Sequence, residues 1–353
     1  MKLSGLSTPA LVVDVNILKA NAAAMDAVLE GSSLRLRPHY KSHKCAALAA
    51  WQLKKGAVGM TCAKLSEAQD LCDMGVEDIL IANQIVEPAK IRAVAELANN
   101  CHLTVCVDTA ENIAALSVAA KAAGSTVSCL VEFEIGMERC GVTEKETVLA
   151  LARQIEASEH LVFAGIQAYA GHISHVEDLT QRREMTAANY EKLRQLLAFL
   201  QDNGITVTTV SGGSTGTSQI KAAEGLYTEL QAGSYLFMDA CYKELDVPFK
   251  NSLFLLTTVV SRRGDLTIVD AGVKTCGVDQ GMPAPKTGTV RQIVASEEHF
   301  QLHGYTGSEA VGEKMRLIPG HCCSTINLHD KLYVVDGDQV IARIPVTARF
   351  IGR

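Results

Sequence analysis

The stretch RLRPHYKSHKC, residues 35–45, places several basic side chains and two histidines directly after an apolar, strand-like run. Like charges this close repel one another, and the repulsion favours the neutral form of a lysine amine among them. A neutral lysine amine is a nucleophile that can form a Schiff base with an aldehyde. Lys41 is therefore a candidate nucleophile, and the alternative is an ordinary solvated basic loop.

The stretch SGGSTGTS, residues 211–218, combines glycines with hydroxyl side chains. Backbone N–H groups of such a turn can surround a phosphate, and Ser214, Thr215 and Thr217 add hydroxyl donors. No Gly-Lys-Ser/Thr sequence follows, so the stretch is not a Walker loop. Two interpretations stay open at this point, a phosphate site and a simple turn.

Two further stretches, EIGMERCG and QAYAGHISH, carry polar side chains at predicted strand ends. Arg139 is a fixed cation that can hold a carboxylate or a cofactor oxygen. Tyr169 can stack on a ring or hydrogen-bond to it. His172 and His175 offer acid–base chemistry, although each of these residues alone also fits a capping or packing role.

The densest group of metal-binding side chain types is in PGHCCSTINLHD, residues 319–330. On an extended segment His321 and Cys323 point to the same side, so both can reach one metal ion. Two protein ligands leave coordination positions open for water or substrate, as a catalytic metal requires. A single His-x-Cys can also arise by chance.

Most of these residues follow β-like runs in a chain that alternates such runs with helical stretches from about residue 33 to residue 232. The β runs are apolar nearly throughout, which is typical of parallel strands buried on both faces. Apolar residues of the helical stretches recur at spacings of three and four. The pattern predicts an α/β fold with a (β/α)8 barrel, whose active site lies where strands end. The eight β runs are SLRLRPH, AVGMTC, DILIAN, HLTVCVD, VSCLVEFEIG, LVFAGIQAY, TVTTVSGG and TELQAG.

After residue 250 the pattern changes to β runs separated by Gly/Asp turns, without long helices. These runs predict a second, mostly antiparallel β domain. They are LFLLTTVVSRRGDLTIVDAG, RLIPGHCCS and KLYVVDGDQVIARIPV.

Composition narrows the class of protein. The chain has 353 residues, and this length favours two domains. The net charge of −6 argues against nucleic-acid binding. No apolar run approaches the length of a membrane span, no signal peptide is recognisable, and eleven cysteines lack a regular spacing. We therefore expect a cytoplasmic enzyme-sized protein that acts on a small molecule.

The chain resembles the family of D-threonine aldolases and D-serine dehydratases in eight stretches that keep the same order over nearly its whole length. This resemblance implies a pyridoxal 5'-phosphate enzyme with an alanine-racemase-type barrel at 16–245, a β domain at 246–353 that takes in strand 1–15, and a homodimer. The stretches are TPALVVDV, RPHYKSHK, ERCGV, QAYAGHISH, SGGSTGT, ELQAGSYLFMD, DAGVKTCGVDQG and PGHCCSTINLHD.

The resemblance also implies roles for individual residues. Lys41 matches the Schiff-base lysine, and His175 matches the acid–base histidine of the aldolases. Cofactor contacts are implied for Arg139, Tyr169, Gly213, Ser214, Thr215 and Tyr235.

His321 and Cys323 match the two metal ligands, and Cys323 departs from the aspartate usual in the aldolases. A thiolate favours zinc, whereas a carboxylate suits manganese, magnesium or cobalt, so zinc or manganese is expected. Cysteine at this position is instead a feature of zinc-dependent D-serine dehydratases.

The activity that the resemblance implies is retro-aldol cleavage of a D-3-hydroxy amino acid, as in a D-threonine aldolase, to glycine and an aldehyde. The alternative is a zinc-dependent dehydratase that gives a 2-oxo acid and ammonia. An amino-acid racemase would need a second base opposite Lys41, and neither Tyr305 nor Tyr333 lies in a matching motif. A non-enzymatic pyridoxal phosphate carrier would have no metal pair.

Overall fold

A computed structural model describes residues 1–242 and 244–349 of the chain. They form two compact units. The barrel unit contains residues 28–41 and 48–233, and the β unit contains residues 1–27, 42–47 and 234–349. The domain limits expected from the sequence stay a prediction, because these units are defined by packing alone.

The strands in chain order are β1 (Ala10–Asp14), β2 (Arg35–Leu36), β3 (Met60–Cys62), β4 (Asp78–Gln84), β5 (His102–Val107), β6 (Val127–Glu132), β7 (Leu161–Ala168), β8 (Thr209–Gly212), β9 (Glu229–Leu230), β10 (Leu253–Arg263), β11 (Leu266–Val269), β12 (Ala284–Pro285), β13 (Gln292–Ala295), β14 (Phe300–His303), β15 (Lys314–Ile318), β16 (Lys331–Asp336) and β17 (Gln339–Pro345). The helices are α1 (Val15–Leu29), α2 (Ala46–Lys54), α3 (Leu65–Asp73), α4 (Pro88–Leu97), α5 (Ala110–Ala123), α6 (Lys145–Glu156), α7 (Leu179–Asp202), α8 (Ser218–Glu224) and α9 (Cys322–Ile326). None of the described helices is long and apolar enough to span a membrane.

The barrel unit contains one eight-stranded parallel sheet in the order β2-β9-β8-β7-β6-β5-β4-β3. Its two end strands meet, because Val58 N–H donates to the Leu36 carbonyl and Thr61 N–H donates to the Pro38 carbonyl, both at 2.9 Å. All six residues of β6 are buried, as expected for a parallel strand covered on both faces. The predicted (β/α)8 barrel is confirmed.

The helices of this unit follow from local sequence. In α6 the buried residues Val148, Ala152 and Ile155 recur at spacings of four and three, which places them on one face. At the start of α5 the side chain of Thr109 accepts a hydrogen bond from the Asn112 N–H, and Gly124 ends the helix with a φ of 64°. The local sequence thus explains the buried face of α6 and both ends of α5.

The β unit contains a mostly antiparallel sheet of nine strands. Strand β1 lies in its interior, antiparallel to β10 and parallel to β16. Side chains alternate along β10, so that Leu255 packs in one apolar cluster and Leu256 packs in another. The predicted β domain after residue 250 is confirmed.

One local expectation is wrong. The run RLIPGHCCS was expected to be extended to its end, but β15 ends at Ile318 and α9 begins at Cys322. The helix forms because the buried carboxylate of Asp239 accepts the Cys322 N–H at 2.8 Å and satisfies the start of the helix. Asp239 is 83 residues away in sequence, so local patterning could not reveal this contact.

An ion-pair cluster joins the residue after β2 to the amino ends of β4 and β9. Arg37 follows β2, and its guanidinium donates to Asp78 and to Glu229, each at 2.7 Å. The Arg37 side chain is 8% exposed and that of Glu229 is 13% exposed. Gly59 leaves room for the guanidinium, since a Cβ there would lie 2.2 Å from Arg37 Nη1. Arg37 therefore links β2 to the starts of β4 and β9.

We predict that Arg37→Met lowers the free energy of unfolding by about 3 kcal/mol, because it leaves the Glu229 carboxylate buried without its partner. Thermal and urea unfolding followed by circular dichroism would measure the loss. The double variant Arg37→Met/Glu229→Met should be more stable than the single variant, since no buried charge then lacks a partner. The control is Arg194→Met, which breaks an exposed pair with Glu191. Equal losses in Arg37→Met and Arg194→Met would contradict the prediction.

Candidate active site

A cavity of about 180 Å³ lies within the barrel unit, at the carboxyl ends of its strands. Its lining includes Lys41, just after β2, Asn83 at the end of β4 and Tyr169, just after β7. Arg139 reaches it from the loop that follows β6. Active sites of (β/α)8 barrels are built from these loops, so the cavity is the candidate active site of this unit.

Two cations of the cavity share one aromatic ring. Lys41 Nζ lies 6.0 Å from the centre of the Tyr169 ring, and the guanidinium carbon of Arg139 lies 5.5 Å from it. Among the described residues that line the cavity there is no carboxylate. The cavity therefore presents positive charge and an aromatic face, a combination that suits an anionic ring compound.

The carboxylate of Glu132 lies next to Arg139, outside the cavity. Glu132, at the end of β6, is 4% exposed and lies 3.8 Å from the Arg139 guanidinium. Its carboxylate accepts a hydrogen bond of 2.6 Å from the Gln84 amide. Burial raises the pKa of Glu132, although Gln84 and Arg139 oppose the shift. Glu132 thus helps to orient Arg139 from outside the cavity.

The loop that carries Arg139 is held by a second carboxylate. One oxygen of Glu134 accepts the backbone N–H groups of Gly136 at 2.7 Å, of Glu138 at 2.8 Å and of Met137. Partial burial works against the charge of Glu134, but the three N–H donors outweigh it and lower the pKa of the carboxyl. The charged form of Glu134 therefore fixes the turn just before Arg139.

The amides of Gln167 and Gln231 form another part of the lining. Gln231 Nε2 donates to Gln167 Oε1 at 2.7 Å and to the Ser211 hydroxyl at 2.9 Å. These contacts join the ends of β7, β8 and β9. They give the cavity a neutral, hydrogen-bonded part of its wall.

The predicted phosphate turn follows β8. Gly213 has a φ of +79°, and a Cβ on it would lie 2.6 Å from Lys221 Cδ. Ser214 starts the short helix Thr215–Thr217, where its N–H and hydroxyl contact Thr217 Oγ1 at 3.2 and 3.1 Å. The Thr215 hydroxyl is buried and has no hydrogen-bond partner among the described residues. The turn is preformed, and the Thr215 hydroxyl remains available to donate a hydrogen bond to a ligand.

The structure brings together only part of the predicted set. Lys41, Arg139 and Tyr169 line one cavity, whereas Gly213, Ser214 and Thr215 are not among its lining residues. They follow β8, whose neighbour β9 leads to the lining residue Gln231. His175 is half-buried in the same unit, two residues after the short helix Gly171–Ile173, and is not a lining residue. Its predicted role stays a prediction.

The basic stretch that drew attention to Lys41 is not one cationic surface. The guanidinium of Arg37 is paired with carboxylates at the other ends of the strands. Lys44 belongs to the β unit and donates to Asn327 Oδ1 at 3.0 Å. Arg37 and Lys44 thus each have partners of their own within the protein.

Tyr235, His321 and Cys323 belong to the β unit. Tyr235 is buried and packs edge-to-face on Phe249, with ring centres 5.8 Å apart. Its predicted cofactor contact stays a prediction.

His321 and Cys323 are neighbours for a different reason from the expected strand alternation. His321 is the extended residue before α9, and Cys323 lies in the first turn of that helix. Burial disfavours the charged imidazole, but a hydrogen bond to Cys323 and contact with Asp279 raise the pKa of His321 to about 9. The surroundings of the imidazole are thus anionic.

Sequence reasoning did not identify two carboxylates near this pair. Asp279 Oδ2 lies 2.7 Å from His321 Nδ1, and Asp239 accepts the Cys322 N–H. Both stand inside stretches that carry the family resemblance, ELQAGSYLFMD and DAGVKTCGVDQG, so the signal was present without a role attached. In the described part of the chain no three His, Cys, Asp or Glu side chains are arranged to hold a metal ion together.

Comparison with known families matches residues 13–241 to the family described as Alanine racemase, N-terminal domain. Residues 252–335 match the Putative serine dehydratase domain. The two matches together span nearly the whole chain and meet close to the boundary between barrel and β runs.

Two relatives that align with nearly the whole chain are named as aldolases. The chain is 40% identical over 360 residues to a D-threonine aldolase of Arthrobacter sp, covering 99% of this chain and 95% of that protein. It is 38% identical over 362 residues to a 3-hydroxy-D-aspartate aldolase of Paracoccus denitrificans (strain Pd 1222), covering 99% and 94%. The crystal structure of D-threonine aldolase from Filomicrobium marinum superposes with a TM-score of 0.96 at 37% identity, covering 100% and 98%.

We predict that Glu134→Ala loosens the loop that carries Arg139, since three backbone N–H groups lose one shared acceptor. Hydrogen–deuterium exchange at residues 136–138 should become at least about tenfold faster. In the wild type this stabilisation is present above the ordinary pKa of a glutamate and is lost as the pH falls through the lowered pKa of Glu134. Acidification should therefore reduce the protection of the same amides.

The control is Glu138→Gln, an exposed change in the same loop. Unchanged protection in Glu134→Ala, or an equal loss in Glu138→Gln, would contradict the role given to Glu134.

Proposed function

The chain belongs to the alanine racemase N-terminal-domain family, in the group of the D-threonine and 3-hydroxy-D-aspartate aldolases, and on that premise we propose that it cleaves D-3-hydroxy amino acids. The family expected from the eight sequence stretches is thereby confirmed. The proposed reaction is a pyridoxal-phosphate-dependent retro-aldol cleavage that gives glycine and an aldehyde. The observation that carries it is the cavity in which Lys41, Tyr169 and Arg139 meet.

The residues of the barrel unit fit pyridoxal phosphate. One cavity is lined by a primary amine, an aromatic ring and a second cation, and none of its described lining residues carries a carboxylate. Pyridoxal phosphate is an anionic aldehyde on an aromatic ring, so these groups suit it. The turn at Gly213 would be filled by a Cβ, and the buried Thr215 hydroxyl has no partner among the described residues. Lys41 would hold the aldehyde carbon, Tyr169 and Arg139 would hold the ring, and Gly213, Ser214 and Thr215 would hold the phosphate.

The bound cofactor supplies an electron sink for the charge that bond cleavage leaves on the substrate's α-carbon. The protein supplies binding, orientation and proton transfer. Arg139, oriented by Glu132 and by the Glu134 turn, keeps a fixed positive charge beside the Tyr169 ring. The neutral Gln167–Gln231 pair holds another part of the cavity wall in place without adding charge.

Cleavage of the bond between the α- and β-carbons requires removal of the proton from the substrate's 3-hydroxyl. We assign this step to His175, since an imidazole exchanges protons near neutral pH. A ring nitrogen of His175 takes the proton of the 3-hydroxyl group and can then deliver it to the α-carbon of the product glycine. Support for this assignment is its place after β7, in the loop that also carries Tyr169.

We further propose that His321 and Cys323 bind a divalent metal ion. The donors fit, because the two side chains are hydrogen-bonded to each other and Asp279 occupies Nδ1 of His321, which leaves Nε2 for a metal. A carboxylate behind a ligating imidazole is a common support of metal sites. A thiolate ligand favours zinc over manganese. A metal there would supply Lewis-acid chemistry to a bound hydroxyl.

The second candidate function is a zinc-dependent dehydratase that acts on D-serine or related D-3-hydroxy amino acids. Cys323 and the match of residues 252–335 to a putative serine dehydratase domain favour it. The aldolase has more support, because the aldolases described above, at 40% and 38% identity, are more similar to this chain than the dehydratases that also align with most of its length.

A racemase has less support than either lyase. The Tyr305 hydroxyl contacts Glu309 at 2.9 Å and the Thr287 carbonyl at 3.3 Å, so it is engaged within the β unit. The homodimer and the cytoplasmic location remain parts of the proposal that rest on the resemblance and on composition.

Product analysis tests the function directly. Reconstituted protein is incubated with D-threonine, 3-hydroxy-D-aspartate, D-serine and L-threonine, each with zinc and with manganese, and glycine and 2-oxo acid are assayed separately. Glycine from a D-substrate supports the aldolase. A 2-oxo acid with ammonia supports the dehydratase, and activity confined to L-threonine would refute both.

We predict that Lys41→Ala loses the visible absorbance of the lysine-linked cofactor and releases pyridoxal phosphate on dialysis, because no amine remains to hold the aldehyde. Lys44→Gln, three residues away, should keep both the colour and the cofactor. Absorbance spectra and cofactor content after dialysis provide the measurement. A wild type that stays colourless after incubation with pyridoxal phosphate would refute the proposed function.

We predict that zinc binds with a stoichiometry near one per chain and that His321→Ala and Cys323→Ala abolish this binding. Asp279→Asn should weaken it by about 10- to 100-fold through loss of the contact to Nδ1. Competition with a chromophoric chelator and elemental analysis would measure both effects. His299→Ala, an exposed histidine of the same unit, is the control. Full zinc content in His321→Ala would rule out this pair as the site.

A further inference from the structure

A lysine with no place in the proposed mechanism is buried behind the phosphate turn. Lys221, on α8, is 3% exposed. Its Nζ lies 3.4 Å from the centre of the Tyr227 ring and 5.1 Å from that of Tyr190. A buried ammonium group is costly unless something compensates its charge, and two aromatic faces do so only in part. A buried lysine amine of this kind is therefore a candidate for a functional role.

The stem of Lys221 forms the back of the turn that begins at Gly213. A Cβ on Gly213 would lie 2.6 Å from Lys221 Cδ and 3.1 Å from Lys221 Cε, the carbon that bears the amine. On its other side the same Cβ would lie 2.8 Å from Leu230. Gly213 therefore has no side chain because Lys221 and Leu230 already occupy that space.

We infer that Lys221 is a positioning residue of the phosphate site, which fixes the shape of the turn 213–215 and places a buried positive charge behind it. The ligand that this arrangement fits is a phosphate dianion, whose charge completes the compensation that the two tyrosines begin. This inference rests on the proposed function, since it concerns the phosphate of the same cofactor. It adds a residue that does not itself line the cavity of Lys41.

The charged and titratable groups around Lys221 are few. Tyr190 faces it from α7, Tyr227 from the segment before β9 and Glu224 from the end of α8. The strands β8 and β9 present Gly213 and Leu230, which carry no charge. Burial raises the pKa of both phenols, so Tyr190 and Tyr227 stay neutral at physiological pH. Glu224 is exposed and is the only carboxylate among the groups named here.

Burial lowers the pKa of Lys221 to about 7, and Glu224 opposes the shift only in part. Without an anion, the amine of Lys221 therefore loses its proton as the pH rises through neutrality. A phosphate dianion nearby favours the charged form and draws the proton back. Binding of a phosphate should thus be accompanied by proton uptake above pH 7.

The first experiment titrates the cofactor-free protein with pyridoxal phosphate and with pyridoxal, which lacks the phosphate, and follows absorbance and fluorescence. In the wild type pyridoxal phosphate should bind more tightly. Lys221→Met should reduce this preference by at least about tenfold while pyridoxal affinity stays within about threefold, as expected when a buried positive charge behind the phosphate turn is removed. Lys221→Arg, which keeps the charge, should recover part of the preference.

The control is Lys145→Met, because Lys145 lies over the Phe199 ring at 4.8 Å on another helix of the same unit. It should leave the preference unchanged. An unchanged preference in Lys221→Met, or an equal weakening of both ligands, overturns the inference and leaves the proposed function intact. A wild type that binds neither ligand refutes the proposed function itself.

A second experiment does not depend on a variant that folds. Calorimetric titrations of the wild type at pH 8 in two buffers of different ionisation enthalpy give the number of protons taken up on binding. The uptake with pyridoxal phosphate should exceed that with pyridoxal by on the order of one proton per site. Inorganic phosphate, titrated alone, should also be bound with proton uptake. Equal uptake for the two pyridoxal compounds would overturn the inference.

Discussion

The buried contact between Arg37, Asp78 and Glu229 is the constraint on which the barrel unit depends. Strand β2 has only two residues and β9 has two, so their backbone hydrogen bonds alone do little to hold a register. Arg37, directly after β2, binds the first residue of β9 and the first residue of β4. Because all the strands are parallel, a register that is fixed at their amino ends also fixes where their carboxyl ends lie. The position of Lys41, four residues beyond Arg37, follows from that register.

The chemistry of the cavity depends on keeping the carboxylates that support Arg139 out of its lining. Glu132 and Glu134 both serve Arg139, one through its guanidinium and one through its backbone turn, yet neither lines the cavity. Amides take the place of acids at the wall, in Gln167 and Gln231. Positive charge is therefore held in place by negative groups that do not compete for the ligand. This arrangement explains how a chain with a net charge of −6 can keep a cationic pocket.

The strands, the helices and the residues at strand ends could be predicted because they depend on local periodicity. Lys41, Arg139 and Tyr169 each follow an apolar run, and parallel strands bring such positions to one edge. Contacts between distant residues could not be predicted in this way. The sequence shows basic residues close to Lys41, but only tertiary contacts decide that Arg37 binds carboxylates and that Lys44 donates to Asn327. In the same way, the helix at Cys322 forms through Asp239 and overrides an extended pattern.

The interior position of β1 has a consequence for biosynthesis. This strand ends at Asp14, and its two neighbours, β10 and β16, are translated much later because they begin at Leu253 and Lys331. At ribosomal rates of roughly 5–20 residues per second, the nascent strand waits on the order of tens of seconds for them. During that time its unpaired backbone N–H and C=O groups and its apolar side chains are available to other chains or to chaperones. Fast translation or slow chaperone release should therefore affect the yield of the β unit more than that of the barrel unit, whose strands are made almost in the order in which they pair.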